Sequence, residues 1–136
     1  MSLKRIREAA RVVLDALDSP DGELSILIVD DAQIAELNWS YLNRRGPTNV
    51  IAFPMRSGKF QHVAPDLLGD IVISAQTADH EAASSGIPVK DRFLELLVHG
   101  ILHLFGYDHE SDLKSARRMQ RKSRQLLHLI DQSGSG

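Results

Sequence analysis

LGDIVISAQTADHEAASSGIPVKDRFLELLVHGILHLFG, residues Leu68–Gly106, contains the elements that decide the fold. Leu68–Ser74 is a short apolar run rich in β-branched residues, and it predicts a strand. Residues 75–85 predict a helix, and a longer apolar helix is predicted from Pro88 to Phe105. A strand that leads directly into two helices indicates a domain in which a sheet packs against helices.

Apolar periodicity and turn residues predict further elements on either side of this stretch. They are residues 3–17 (helix), Leu24–Val29 (strand), a helix starting at Asp30 or Asp31, Thr48–Phe53 (strand) and a last helix from Asp112 to Ile130. Residues 55–66 read as a loop. We therefore predict an α+β fold: one domain over residues 1–132, with a small mixed sheet of about three to four strands packed against about five helices. Its tail, residues 133–136 (SGSG), is predicted to be flexible.

The composition excludes several classes of protein. A chain of 136 residues with 43% apolar and 25% charged residues is typical of one globular domain. No apolar run approaches the roughly 20 residues of a membrane helix, and the N-terminus does not resemble a signal peptide. The absence of cysteine excludes disulfides and thiolate metal sites, and fits a reducing compartment. We expect no membrane contact and no nucleotide cofactor.

Three of the six histidines lie in one eleven-residue stretch. His99 and His103 are four residues apart on a predicted helix, which places both imidazoles on one face. Gly106 can end the helix in a left-handed conformation, so that His109 turns back toward the same point. The spacing predicts one metal ion per chain bound by these three imidazoles. Zinc is the default choice because it accepts tetrahedral nitrogen ligands.

Structural zinc sites have four protein ligands, whereas three imply an open fourth position. Asp108 and Glu110 are candidates to fill that position, or to accept hydrogen bonds from the ligand rings. The spacing of the three histidines also matches the metzincin protease pattern HExxHxxGxxH. Gly100 stands where that pattern has its glutamate base, so a metalloprotease is the weaker interpretation. We expect Gly100 to leave space beside the metal that a larger side chain would fill.

The stretch Val98–His109, VHGILHLFGYDH, resembles the signature of the YbeY family of endoribonucleases and rRNA maturation factors. Two more segments match that family in the same order. Leu37-Asn38 and Tyr41, followed by PTNVIAFP at residues 47–54, resemble its LN…Y…PT(D/N)VLSFP segment. Leu68–Ser74 resembles its LGDIVIS strand. The resemblance extends over residues 24–130.

The resemblance implies zinc on His99, His103 and His109, in a basic cleft beside a sheet of about four strands. It also implies a zinc-dependent, single-strand-specific endoribonuclease of the cytoplasm, acting in rRNA maturation (16S rRNA 3′ end processing) and ribosome quality control. The implied partners are ribosomal RNA, the small ribosomal subunit and ribosome-assembly proteins. A ribosome-assembly factor without enzymatic activity, in which the zinc is structural, is the alternative.

Two features depart from the family pattern. Family members often have an arginine directly after the tyrosine, where this chain has Leu42. Arg44 and Arg45 follow closely and are the candidate catalytic residues, since a guanidinium can grip phosphate in a bidentate way. Their alternative role is favourable charge at a helix C-terminus. Family chains also usually begin with a strand before the first helix, so the sheet is expected to lack one edge strand.

Polar residues elsewhere suggest further contacts with substrate. Six basic residues between positions 114 and 124 form either a surface that binds anions or a solvated helix face: Lys114, Arg117, Arg118, Arg121, Lys122 and Arg124. With only 5% aromatic residues, phosphate contacts would have to dominate RNA binding. Thr48 and Asn49 could contact substrate or form a turn. Asp70, inside an apolar strand, is expected to be a buried carboxylate that orients a ligand histidine or caps a turn.

Overall fold

A computed structural model describes residues 2–55 and 66–133 of the chain. In these residues it has five helices and three strands: α1 (Leu3–Ala16), β1 (Glu23–Val29), α2 (Asp31–Leu42), β2 (Val50–Pro54), β3 (Leu67–Ser74), α3 (Ala75–Ser85), α4 (Val89–Leu104) and α5 (Leu113–Ser133). The predicted α+β class is confirmed. Most of the predicted loop, residues 56–65, lies outside the described residues, and so do residues 134–136 of the predicted tail.

The sheet is mixed, with the strand order β1-β3-β2. β1 runs parallel to β3, and β2 runs antiparallel to β3 on its other side. Two strands are therefore edges, and the apolar segment β3 is central because its backbone groups find partners on both sides. Three strands agree with the lower end of the expected number.

Alternation along β3 divides the core into two layers. Ile71 and Ile73 are fully buried in the larger core, which is formed with α1, α4 and α5. Val72 points to the opposite face and packs with Ile34 of α2 and Ile51 of β2. Helix α4 is apolar around most of its circumference because it lies between the sheet and α5.

This alternation corrects the expectation for Asp70. Asp70 lies on the same face of β3 as Val72, which is the face covered by α2, and it is only partly buried. It therefore lies on the far side of the sheet from α4 and its histidines. A role in orienting a ligand histidine is excluded by the pleat of the strand.

Two large side chains that continue the apolar periodicity of their helices, Tyr41 and Leu113, are exposed. Tyr41 is 69% exposed at the end of α2, where its ring only edges against Phe53, with 5.5 Å between the ring centroids. Leu113 is 66% exposed because it is the first residue of α5, and that helix buries side chains only from Met119 onward. Both residues lie at helix ends, where the apolar periodicity continues beyond the region that packs.

Candidate metal centre

The last two turns of α4 and the segment after it bring the three predicted ligands together. The Nε2 atoms of His99 and His103 are 3.0 Å apart on one face of the helix. Gly106, with φ of +90°, follows the helix and reverses the chain toward His109. One ring nitrogen from each histidine lies within 4.8 Å of the other two. The three imidazoles therefore form one cluster of a size that suits a single ion.

Burial favours the neutral form of two of the three imidazoles. Burial lowers the pKa of His99 to about 4, with smaller contributions from the nearby His103, His109 and Arg92. Burial also lowers the pKa of His103. Neutral imidazole is the form that donates a lone pair to a metal, so the lowered pKa values of His99 and His103 suit them to bind a transition-metal ion.

The two neighbouring carboxylates do not complete the ligand set. Asp108 accepts a hydrogen bond from the backbone N–H of Glu110 at 2.8 Å, and this bond lowers the pKa of Asp108. Glu110 lies beside His109, with 3.7 Å between Oε1 and Nε2. Within residues 2–55 and 66–133, no carboxylate joins the three imidazoles, so the cluster has three protein ligands. That number is typical of sites that keep a position open for water or substrate.

Gly100 has a packing role in addition to the one that the sequence suggested. A Cβ atom on Gly100 would be 3.0 Å from Cγ2 of the fully buried Ile71. The missing side chain therefore leaves room for β3, because the Cβ position of residue 100 faces the sheet. Gly100 also lines the cavity that contains the three histidines, so the expected space beside the metal and the contact with Ile71 meet at this residue.

A cleft of about 430 Å³ lies over the histidine cluster, between α4 and the edge strand β2. Its polar walls come from the three histidines and from residues at the start of β2 and the end of α2. They include Arg44, Thr48, Asn49 and Glu110. Leu42 lines the same cleft, so the position where the family often has arginine does face the metal centre.

The structure separates the two candidate arginines. Arg44 lines the cleft together with the histidines. Arg45 does not; its guanidinium carbon lies 5.8 Å from the centroid of the Trp39 ring, in a cation–π arrangement on the outside of α2. The left-handed residue Asn43, with φ of 58°, ends α2 and sends these adjacent side chains in different directions.

A polar network that the sequence analysis did not single out holds the rim of the cleft. The carboxylate of Glu81 on α3 accepts hydrogen bonds from Asn49 Nδ2 at 3.2 Å and from the Arg92 guanidinium at 2.9 Å. Arg92 also pairs with Glu95 at 2.9 Å. The network therefore ties the start of β2 to α3 and α4. Only the spacing of Arg92, Glu95 and His99 on one helix face hinted at it.

None of the described helices combines the length and apolar character needed to cross a membrane.

Comparison with known proteins gives consistent results. Residues 1–131 match the family model described as endoribonuclease YbeY. The endoribonuclease YbeY of Geobacter sulfurreducens is 46% identical over 132 residues, which cover 96% of this chain and 88% of that protein. That of Syntrophus aciditrophicus is 43% identical over 131 residues, covering 96% and 82%. The solution structure of TM1509 from Thermotoga maritima is similar with a TM-score of 0.70 and 25% identity, covering 96% of this chain and 82% of that one.

Proposed function

Because the chain belongs to the endoribonuclease YbeY family and is therefore a nuclease acting on RNA, we propose that it is a zinc-dependent, single-strand-specific enzyme of rRNA maturation. We propose that it cleaves RNA in two processes: 16S rRNA 3′ end processing and ribosome quality control. Its proposed partners are ribosomal RNA, the small ribosomal subunit and ribosome-assembly proteins, in the cytoplasm. The observation that carries this proposal is the presence of three clustered imidazoles and Arg44 in one open cleft.

His99, His103 and His109 would hold the zinc ion, one per chain. When bound, zinc supplies an acidified water and polarises a phosphoryl oxygen. The protein contributes three imidazoles, and the two on α4, His99 and His103, are favoured in the neutral form by burial. Because the cluster has only three protein ligands among the described residues, a phosphodiester has room to approach it from the cleft.

The remaining polar groups of the cleft bind and orient the RNA. Arg44 donates hydrogen bonds to a phosphate as charge develops on its oxygens, which lowers the barrier to cleavage. The Thr48 hydroxyl lies on the same wall and offers a neutral donor. We assign the catalytic role to Arg44. Arg45 lies over Trp39 outside the cleft, and its proposed role is to contact RNA there.

Neither alternative interpretation gains support from a specific observation. A metzincin-like protease needs a carboxylate base one residue after the first ligand, and Gly100 at that position packs against Ile71. A purely structural zinc would call for a fourth protein ligand, which the described residues do not add to the cluster.

The test is to incubate the metal-replete protein with precursor and mature rRNA and to map the new ends. We expect cuts confined to single-stranded segments, including cuts near the 3′ end of 16S rRNA. The variant His103→Ala should produce none of them. Wild-type protein that holds its metal but creates no new ends in either RNA would overturn the proposal. Cuts that are equally frequent in duplex RNA would overturn the single-strand assignment.

A further inference from the structure

A second groove adjoins the metal centre, and Arg44 is not among the residues that line it. It has a volume of about 330 Å³ and lies between α4 and α5. His99 and Asn49 line both this groove and the metal cleft, so the two cavities adjoin at these side chains. A chain lying across the histidine cluster can therefore continue from the cleft into the groove.

Two helix faces form the walls of this groove. On α4 the lining residues are Arg92, Glu95, Leu96 and His99, whose spacing puts them on one face. On α5 the facing residues are Gln120, Ser123, Arg124 and Leu127, again at helical spacing. Both walls are thus formed by regular helices. The groove-lining residues of α4 end at His99, which also belongs to the histidine cluster.

The two arginines of the groove differ in their availability for a ligand. Arg92 is held by the carboxylates of Glu81 and Glu95, each at 2.9 Å, so its charge is already compensated. Arg124 forms no ion pair with any residue in the ranges 2–55 and 66–133. The remaining polar groups of the α5 wall, Gln120 and Ser123, are neutral. Of the two arginines that line the groove, Arg124 is therefore the one whose guanidinium has no carboxylate partner among the described residues.

The other arginines in the central part of α5 do not share this position. Arg118 lies over the ring of Tyr107, with 4.8 Å between its guanidinium carbon and the ring centroid. Arg117 and Arg121 are exposed and do not line the groove. Among these four arginines, only Arg124 is placed to reach a ligand that also reaches the metal centre.

From these observations, and resting on the proposed function, we infer that Arg124 binds a backbone phosphate of single-stranded RNA one or more nucleotides away from the bond that is cut. Arg44 in the metal cleft and Arg124 in the adjoining groove then hold the strand across the metal centre. Ser123 and Gln120 offer neutral hydrogen-bonding groups to the adjoining sugar or base. A phosphate contact positions the strand without reading its sequence.

The experiment compares Arg124→Gln with the matched control Arg121→Gln, which removes the same charge from the exposed side of the same helix. Binding is measured with a short single-stranded RNA and the cleavage-deficient His103→Ala background, and cleavage is measured in the wild-type background. We expect Arg124→Gln to weaken binding and raise KM by about tenfold, with kcat changed much less. The slope of log Kd against log salt should decrease in magnitude by about 0.7, the value for one phosphate contact on a single strand. Arg124→Lys should restore most of the binding.

A second comparison locates the contact on the RNA. Single phosphates are replaced in turn by uncharged methylphosphonates on each side of the cleavage site. One replacement should weaken binding to wild-type protein and have no effect on Arg124→Gln, because the contact is then already absent. If wild-type protein cleaves the RNA but Arg124→Gln behaves like Arg121→Gln in KM and salt dependence, this inference is overturned and the proposed function stands. If wild-type protein neither binds nor cleaves the RNA, the proposed function itself fails, and this inference fails with it.

Discussion

Gly100 of α4 and Ile71 of β3 are in contact, so that a Cβ atom added to the glycine would lie 3.0 Å from Ile71 Cγ2. Ile71 is fully buried among α1, α4 and α5, so its side chain cannot move aside into solvent. The contact sets how closely the helix that carries His99 and His103 approaches the sheet, and hence the width of the cleft between α4 and β2. Gly100, the residue after His99, thus allows α4 to pack closely against the sheet.

The variant Gly100→Glu should therefore be destabilised. Sequence reasoning alone favours a folded variant, because glutamate is a better helix former than glycine. In the structure its side chain would meet Ile71 and place a carboxylate in an apolar core, at a cost of about 3 kcal/mol or more. Chemical denaturation of the metal-free proteins measures this difference, and a variant as stable as wild type would disprove the proposed contact.

A smaller substitution isolates that contact from the burial of charge. Gly100→Ala gains about 1 kcal/mol of helix propensity but must displace the Ile71 methyl group. In an Ile71→Ala background the methyl group is gone, so the same substitution should be more favourable than in wild type. A double-mutant cycle on the free energy of unfolding should give a coupling of about 1 kcal/mol. Additive effects would mean that the two residues do not interact.

Metal content should depend on the histidine cluster and not on histidine in general. We expect about one equivalent of zinc per chain in wild-type protein purified without chelator. His103→Ala removes one of three ligands and should lose nearly all of it. His80→Ala changes an exposed histidine of α3 outside the cluster and should keep it. Elemental analysis of the three preparations decides the matter, and zinc retained by His103→Ala would refute the assignment of ligands.

Acid should destabilise the metal-free protein in a defined range of pH. The pKa of His99 falls from 6.5 to about 4 on folding, chiefly because the ring is buried. Between these values the unfolded chain binds more protons than the folded one, so the free energy of unfolding decreases as the pH drops from 6.5 toward 4. His99→Gln should flatten this decrease, whereas the exposed control His128→Gln should keep it. Denaturation curves after chelation, at several pH values, measure the effect; identical wild-type and His99→Gln profiles would contradict it.

The two adjacent arginines should differ strongly in their effect on cleavage. Arg44→Gln removes the guanidinium that lines the cleft and should lower kcat/KM by on the order of 100-fold. Arg45→Gln loosens a cation–π contact with Trp39 outside the cleft and should change kcat/KM by less than about threefold. Both variants lose the same charge, so nonspecific attraction of RNA cancels in the comparison. Equal losses of kcat/KM in the two variants would show that Arg44 has no special role in cleavage.

Much of this fold is encoded locally. The period of apolar residues fixed the helices and strands to within a few residues, as in α3, which was predicted and found at residues 75–85. The spacing of His99 and His103 likewise predicted neighbouring imidazoles, because four residues make about one helical turn. Gly106 then predicted the reversal that brings His109 to them. Each of these results depends only on chain geometry over a few residues.

Other properties depended on which elements pack together. Adjacent Arg44 and Arg45 look equivalent in the sequence, and they differ because the chain leaves α2 through a left-handed residue beside the cleft. Asp70 could not be assigned to a face of the sheet until the layers on each side were known. Arg124 is one of six basic residues on α5, and only the packing of α5 against α4 places it in the groove beside His99. Periodicity defines a face of a helix, but the neighbour of that face is set by contacts between residues distant in the chain.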